Sequence, residues 1–353
     1  MPNNKKDRQV AIWLFICCFS VFLMIVVGGL TRLTESGLSI VEWKPISGTF
    51  PPLNDEAWQK EFENYKQYPE FKNKNFDMTI EGFKGIFWLE FIHRLLGRIA
   101  GLIFLIPLAY FAYKKYINFN DTLKFAAIFA LGGVQGFIGW YMVKSGLVEN
   151  PQVSPYRLAL HLSLAIVILT FLFLKALDFW GINKQVKKTN NKTFSGLKKI
   201  SVWVSGVIFL QIVAGAFVAG LDAGLTYNTY PLMDGKLIPD GMFVLQPLLI
   251  NLFENITAVQ FNHRWIAFIV LGAVLFLWFR IENLPKIEKQ IILASRVLLT
   301  ACLLQIVIGI ATLLLVVPIF LASLHQSVAI FIFVVSLFIN KNLYVKVRTD
   351  KGI

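Results

Sequence analysis

Eight stretches of the chain stay apolar for about twenty residues or more, over roughly 10 to 31, 88 to 112, 122 to 143, 156 to 178, 200 to 221, 260 to 281, 291 to 316 and 318 to 340. A helix rises about 1.5 Å per residue, so each can cross a hydrocarbon layer of about 30 Å. Within that layer the backbone has to satisfy its own hydrogen bonds, which leaves helices as the natural answer. The expected fold class is therefore an all-α integral membrane protein with eight transmembrane helices. Composition agrees, with 56% hydrophobic and 16% charged residues where an average soluble domain has about 25% charged. These figures exclude a disordered chain, a collagen and, despite a formal charge of 34 − 21 = +13, a nucleic-acid-binding module.

The three cysteines, Cys17, Cys18 and Cys302, all lie inside apolar stretches, and two adjacent cysteines are poorly placed to bridge each other. Neither a disulfide framework nor a Cys-rich metal site is expected. Lys5, Lys6 and Arg8 precede the first stretch, which exceeds the roughly 7 to 15 residues of a cleaved signal core and reads as a retained helix. No Arg- and Ser-rich transit segment precedes it, which favours a bacterial plasma membrane over an organelle. With an even number of spans both termini share one side. Lys5, Lys6, Arg8, Lys114, Lys115, the run from Lys175 through Lys184, Lys187, Lys188, Lys192, Lys198 and Lys199, and the tail residues Lys341, Lys346 and Arg348 all fall there, so that side is expected to be cytoplasmic. The long segments 32 to 87 and 222 to 259 then lie outside, in the periplasm.

The polar connection 183–199 divides the chain into an N-terminal half, 1–182, and a C-terminal half, 200–353, and the two halves resemble each other. Glu90-Phe91-Ile92-His93-Arg94 aligns with Gln260-Phe261-Asn262-His263-Arg264 at an offset of 170, as do Gln135 and Gly139 with Gln305 and Gly309. Leu160-His161-Leu162-Ser163 pairs with Leu324-His325-Gln326-Ser327 at 164, and Glu35, Gly37, Leu38 and Gly48 face Asp222, Gly224, Leu225 and Gly235 at 187. Helices 1 and 5 both run outward, so the repeats are parallel. Two tandem four-helix bundles related by an internal pseudo-two-fold repeat are expected.

All four histidines of the chain take part in this repeat, His93 with His263 and His161 with His325. Each sits a few residues after its helix leaves the outer face, so all four share a depth of roughly 5 to 10 Å. Within a half, two imidazoles can meet across the bundle with a flat group between them, as the axial positions of haem iron require. Taken singly, each could be an interfacial histidine satisfied by backbone. Ionisable groups inside a membrane are costly and usually functional, and four duplicated at one depth favour ligation. Zinc or copper would want further ligands, and only Glu90, in one half, offers itself.

Arg94 and Arg264 follow their histidines directly, Arg98 lies one turn further, and Arg157 precedes His161 by four residues. Arginine pairs bidentately with carboxylates, so these are candidate clamps for haem propionates; interfacial snorkelling is the alternative. Glu90 stands three residues before His93 and shares its face, whereas the matching Gln260 cannot ionise. Glu90 is either a favourable acid near a helix start or a proton-handling group. The asymmetry favours the second and makes the first half reactive.

The run Gly28-Gly29-Leu30-Thr31-Arg32-Leu33-Thr34-Glu35-Ser36-Gly37-Leu38-Ser39, continued by Glu42-Trp43-Lys44-Pro45 and Pro51-Pro52, with Glu90, His93, Arg94, Gly97 and Arg98, resembles the haem A synthase family of bacteria and mitochondria. The likeness covers essentially the whole chain. It implies oxidation of the C8 methyl of haem O to the formyl of haem A by successive hydroxylations, in service of cytochrome oxidase. It also implies that His93 and His161 hold the substrate haem, that His263 and His325 hold a cofactor haem b, and that Glu90 is the essential carboxylate. Haem O synthase, cytochrome oxidase assembly factors and an electron acceptor are the implied partners besides the lipid bilayer. Some bacterial members carry a cysteine pair in the first outer segment; residues 32 to 87 here contain none, so the sequence looks closer to the mitochondrial and proteobacterial branch and no thiol role carries over. That segment has a helix-like polar stretch around Asp55 to Tyr65, which reads as a solvated cap over the haem or as a catalytic element. The competing reading is a di-haem electron-transfer cytochrome, which is better served by haems at both membrane faces. A transporter would need paired helix breaks, and Pro107 and Pro318 are not paired between the halves.

Overall fold

The computed structural model of the protein describes residues 4–43, 47–148, 151–181, 191–285 and 287–343. Residues named above that lie outside the described residues are Lys44, Pro45, Lys184, Lys187, Lys188, Lys346 and Arg348. The helices are α1 (Lys5–Leu33), α2 (Asp55–Lys66), α3 (Pro69–Asn73), α4 (Ile80–Tyr113), α5 (Phe119–Gly146), α6 (Pro155–Trp180), α7 (Asn191–Gly220), α8 (Asn251–Glu254), α9 (Ile256–Glu282), α10 (Lys289–Leu314) and α11 (Ile319–Leu343). Among the described residues no strand forms, and Met233 and Lys236 make an isolated bridge. Eight helices, α1, α4, α5, α6, α7, α9, α10 and α11, are long and apolar enough to cross a membrane. The chain is a multi-pass membrane protein, and its lipid-facing surface shows it: Phe19, Ile106, Leu293 and Val307 are each more than 60% exposed, an arrangement that water would not tolerate over so much surface.

Side-chain caps fix several starts. Thr79 Oγ1 accepts from the Gly82 amide, Asn118 Oδ1 from Asp121 and Asn255 Oδ1 from Ala258, each satisfying a donor that a helix start leaves open. The Thr79 cap explains why α4 begins at Ile80 rather than near 88. At the other extreme, α10 stops at Leu314, short of the apolar stretch expected to reach 316. Val316 and Val317 follow with φ of 61° and 58°, a left-handed conformation that β-branched residues resist. The turn is held by the Val317 amide donating to Thr312 O and by Asn228 Nδ2 donating to Leu313 O, each at 2.8 Å. Apolarity continues through this corner, so hydropathy alone cannot locate it.

The chain forms two compact units, Phe19–Ile168 and a second made of Met1–Cys18 with Leu169–Ile353. In the second, α7 packs on α9, α9 on α10, α10 on α11 and α11 back on α7, closing a ring of four helices. Ser201, Ser205, Ser336 and Asn340 are buried between α7 and α11 and hydrogen-bond one another, a clasp that leaves no polar group bare to hydrocarbon. The three cysteines are free and buried.

In the first unit α4 packs on α5, with Phe104 and Phe129 stacked at 6.0 Å. The expected helical stretch of the outer segment is α2. It is more than a solvated cover, because Trp58, Phe62 and Tyr65 pack on Phe83, Phe87 and Phe91 of α4 in an aromatic core. Glu70, 2% exposed, accepts from the Tyr65 hydroxyl at 3.0 Å, and Asn75 Nδ2 donates to that hydroxyl at 2.8 Å. Burial pushes the Glu70 carboxyl from 4.5 up to about 7; Tyr65 opposes this, while the charges of Glu90 and Glu35 add to it. The folded chain thus holds a proton that the unfolded chain releases, so stability declines as pH rises between about 4.5 and 7 and levels off above. Glu70→Gln is expected to flatten this part of the pH profile of the thermal midpoint in detergent; an unchanged slope would place the titration elsewhere.

Candidate functional site

Every histidine lies against a glycine of the preceding membrane-crossing helix. A Cβ added at Gly28 of α1 would stand 3.1 Å from the ring of His93 on α4, and one at Gly139 of α5 would stand 2.9 Å from His161 on α6. In the second unit a Cβ at Gly215 of α7 would lie 3.2 Å from His263 on α9, and one at Gly309 of α10 would lie 2.7 Å from His325 on α11. Each imidazole therefore fills the volume that a side chain would take, and the paired helices close to backbone distance there.

One turn before three of these glycines stands a glutamine. Gln135 Nε2 donates to the main-chain oxygen of His161 at 3.0 Å, Gln211 Nε2 to that of His263 at 3.0 Å, and Gln305 Nε2 to that of His325 at 2.8 Å. Sequence comparison picks out Gln135 with Gln305 as repeat partners but gives them no task, and it misses Gln211 and the role of the glycines. The legible signal was the spacing Gln-x-x-x-Gly, which occurs on α5, α7 and α10.

The rings of His263 and His325 are neighbours, with centroids 6.4 Å apart and planes at 74°, edge to face. That separation leaves room for one metal ion between the two imidazoles. Nδ1 of His161 and Nδ1 of His325 are buried with no hydrogen-bond partner, although buried ring nitrogens normally have one. Among the described residues no group of three His, Cys, Asp or Glu side chains comes together. Two imidazoles suffice for a porphyrin, which brings its own four nitrogens.

Glu90, 2% exposed on α4, is tied from both sides. Its Oε2 accepts from the Ser39 hydroxyl and the Ile40 amide, both at 2.7 Å, while Oε1 accepts from Arg94 Nε at 3.0 Å and Nη2 at 2.5 Å. Arg94 also donates to Ile40 O at 2.8 Å and Glu42 O at 3.2 Å. Gln260 of α9 holds the matching place with the polarity reversed. Its amide nitrogen donates to Ala223 O at 2.7 Å and to Thr226 O, and its Oε1 accepts from Arg264 Nη2 at 2.9 Å. Arg264 donates further to Tyr227 O at 2.7 Å and Thr229 O at 2.9 Å, and its buried Nε has no partner. Arg157 lies on the Tyr141 ring, 3.6 Å from its centre, and donates to Tyr141 O at 2.7 Å.

The chain matches the family described as cytochrome oxidase assembly protein, COX15-CtaA, over residues 11–337. It is 48% identical over 337 residues to the haem A synthase of Nitrosospira multiformis, covering 96% of this chain and 94% of that protein. It is 47% identical over 345 residues to the haem A synthase of Nitrosomonas eutropha, covering 96% and 95%. With the haem A synthase of Paramagnetospirillum magneticum it shares 45% over 323 residues, 92% of this chain and 90% of the other.

Proposed function

Because the chain belongs to the cytochrome oxidase assembly protein family, whose members above are haem A synthases, we propose that it oxidises the C8 methyl of haem O to the formyl of haem A. The supporting observation is the set of four imidazoles seated in glycine hollows, two of them with a buried Nδ1 lacking a partner. His93 and His161 hold the substrate haem in the N-terminal half, 1–182. His263 and His325 hold a resident haem b in the C-terminal half, 200–353, a role supported by their 6.4 Å separation. A bound haem b supplies one-electron exchange at its iron; the electrons finally leave to an acceptor outside the chain.

The chain's own residues do the rest. Glycines at the four helix contacts keep the imidazoles out of water and fix their depth. Arg264, with Nε uncommitted, and Arg94, with one N–H uncommitted among the described residues, offer donors to propionate carboxylates. Removing hydrogen from a methyl group releases protons, and Glu90 Oε2, shared with the Ser39 hydroxyl, is the acceptor one helical turn from His93. The basic residues Lys5, Lys6, Arg8, Lys114, Lys115, Lys175 and Lys341 support cytoplasmic termini in a bacterial inner membrane, with the histidines toward the periplasmic face.

Extraction of the haems from the purified protein tests this reading. Haem B together with haem O or haem A is the expected result, and His325→Ala should lose the low-spin b spectrum. Haem B alone would favour a di-haem electron-transfer cytochrome, and an unaltered b spectrum in His325→Ala would remove that ligand from the assignment.

A further inference from the structure

Three of the four histidines have a glutamine holding the carbonyl of their own residue, and the fourth does not. On α1 the residue one turn before Gly28 is Met24, where α7 has Gln211 one turn before Gly215. Met24 occupies the same place in its helix pair, for its Cε would be 3.5 Å from a Cβ at Gly97, one turn beyond His93. A thioether has no hydrogen to donate. Among the described residues no side chain hydrogen-bonds to His93.

The glutamine bond matters because a helix carbonyl has two lone pairs, of which the helix uses one. The second, taken by an amide from the facing helix, fixes the sliding and rotation of one helix against the other at the level of the ring. In hydrocarbon no water competes for that bond. In the α1–α4 pair the matching place holds a flexible, adaptable side chain that lies against Gly97. The ring differs as well. Cε1 is the atom of His161, His263 and His325 nearest the facing glycine, whereas for His93 it is Nε2, so that ring is turned over.

We propose that Gln135, Gln211 and Gln305 are positioning residues that lock His161, His263 and His325 in place, and that Met24 leaves His93 as the one imidazole built to yield its axial position on the substrate haem. The proposal rests on the haem assignments above. It gives the reacting site one fixed and one exchangeable ligand, and the resident site two fixed ones. The asymmetry fits the tasks, since a substrate has to enter and leave while an electron relay gains from an unchanging coordination shell.

The test exchanges the two residues in the full-length protein and reads axial vacancy with carbon monoxide, which binds reduced haem only where a ligand has let go. Gln211→Met is expected to raise carbon monoxide binding at haem b severalfold and to reduce its low-spin signal, with haem B content retained. Met24→Gln is expected to slow carbon monoxide binding at the haem O site about tenfold and to lower haem A output, whereas Met24→Leu, which adds no donor, should bind carbon monoxide as the unmodified protein does. If Gln211→Met retains both haems, the full low-spin signal and unchanged carbon monoxide binding, the glutamine does not position the ligand. If Met24→Gln and Met24→Leu slow binding alike, bulk and not the missing donor governs His93. Unmodified protein that yields no haem on extraction would instead strike at the functional assignment beneath.

Discussion

Alanine at both His93 and His161 is expected to abolish haem A formation while the low-spin b spectrum of the second pair persists. Each imidazole fills a hollow made by a facing glycine, 3.1 Å from a Cβ at Gly28 and 2.9 Å from one at Gly139. Removing the rings leaves two cavities that no neighbour can fill without moving a helix, so stability falls by about 2–4 kcal/mol as in other large-to-small core changes. The second pair sits in a separate compact unit with its own ring of helices, which is why its spectrum should survive. Haem analysis of membranes from cells supplied with haem O checks the result. Undiminished haem A from the double variant would dissociate the substrate from these two residues.

Glu90→Gln should be nearly as damaging, for a reason that its similarity to Gln260 conceals. Glu90 receives bonds only from donors: Ser39 Oγ, the Ile40 amide and two nitrogens of Arg94. An amide in its place must turn its NH2 group toward one set of these donors. Gln260 escapes the conflict because two of its three partners are the carbonyls of Ala223 and Thr226. A broken buried ion pair costs about 3–5 kcal/mol; the Arg94 side chain remains 22% exposed and can recover some hydration, so about 2–3 kcal/mol is expected. Haem A formation should fall to a trace, with haem O retained. Gln260→Glu should be destabilising too, since it places a carboxylate against two carbonyls. Thermal midpoints and haem composition decide the matter. A variant at position 90 with the original midpoint and full haem A yield would reduce Glu90 to a replaceable helix-end charge.

Some of this could be read from sequence because it is local. A membrane span declares itself by length and apolarity, so all eight were visible, and a cap such as Thr79 or Asn255 only adjusts where each begins. The histidines stood out because the chain has no others, and Glu90 because its repeat partner does not ionise. What stayed hidden depends on residues far apart in the chain. Glu90 meets Ser39 and Ile40 from about fifty positions away, and nothing near Glu90 says whether those partners donate or accept. The bond that all three glutamines share is to a main-chain oxygen, which every residue possesses, so no side-chain pattern marks the recipient; Gln135 and Gln211 also reach a ring nitrogen, of His161 at 3.3 Å and of His263 at 3.2 Å. The corner at Val316 and Val317 is invisible to hydropathy because its residues are as apolar as the helices they separate.

The length of α4 has a mechanical consequence. Its 34 residues would extend about 51 Å, well beyond a hydrocarbon slab of about 30 Å. The end that carries Phe83, Phe87 and Phe91 is gripped by the aromatic core of the α2 segment. The opposite end finishes in the exposed Tyr110 and Tyr113 beside Lys114 and Lys115, side chains that can slide along a membrane interface or snorkel to it. A change in bilayer thickness is therefore taken up by tilt and by movement at the tyrosine end. The depth of His93 is set by its distance from a folded anchor, so the fatty-acid composition of the surrounding membrane leaves it where it is.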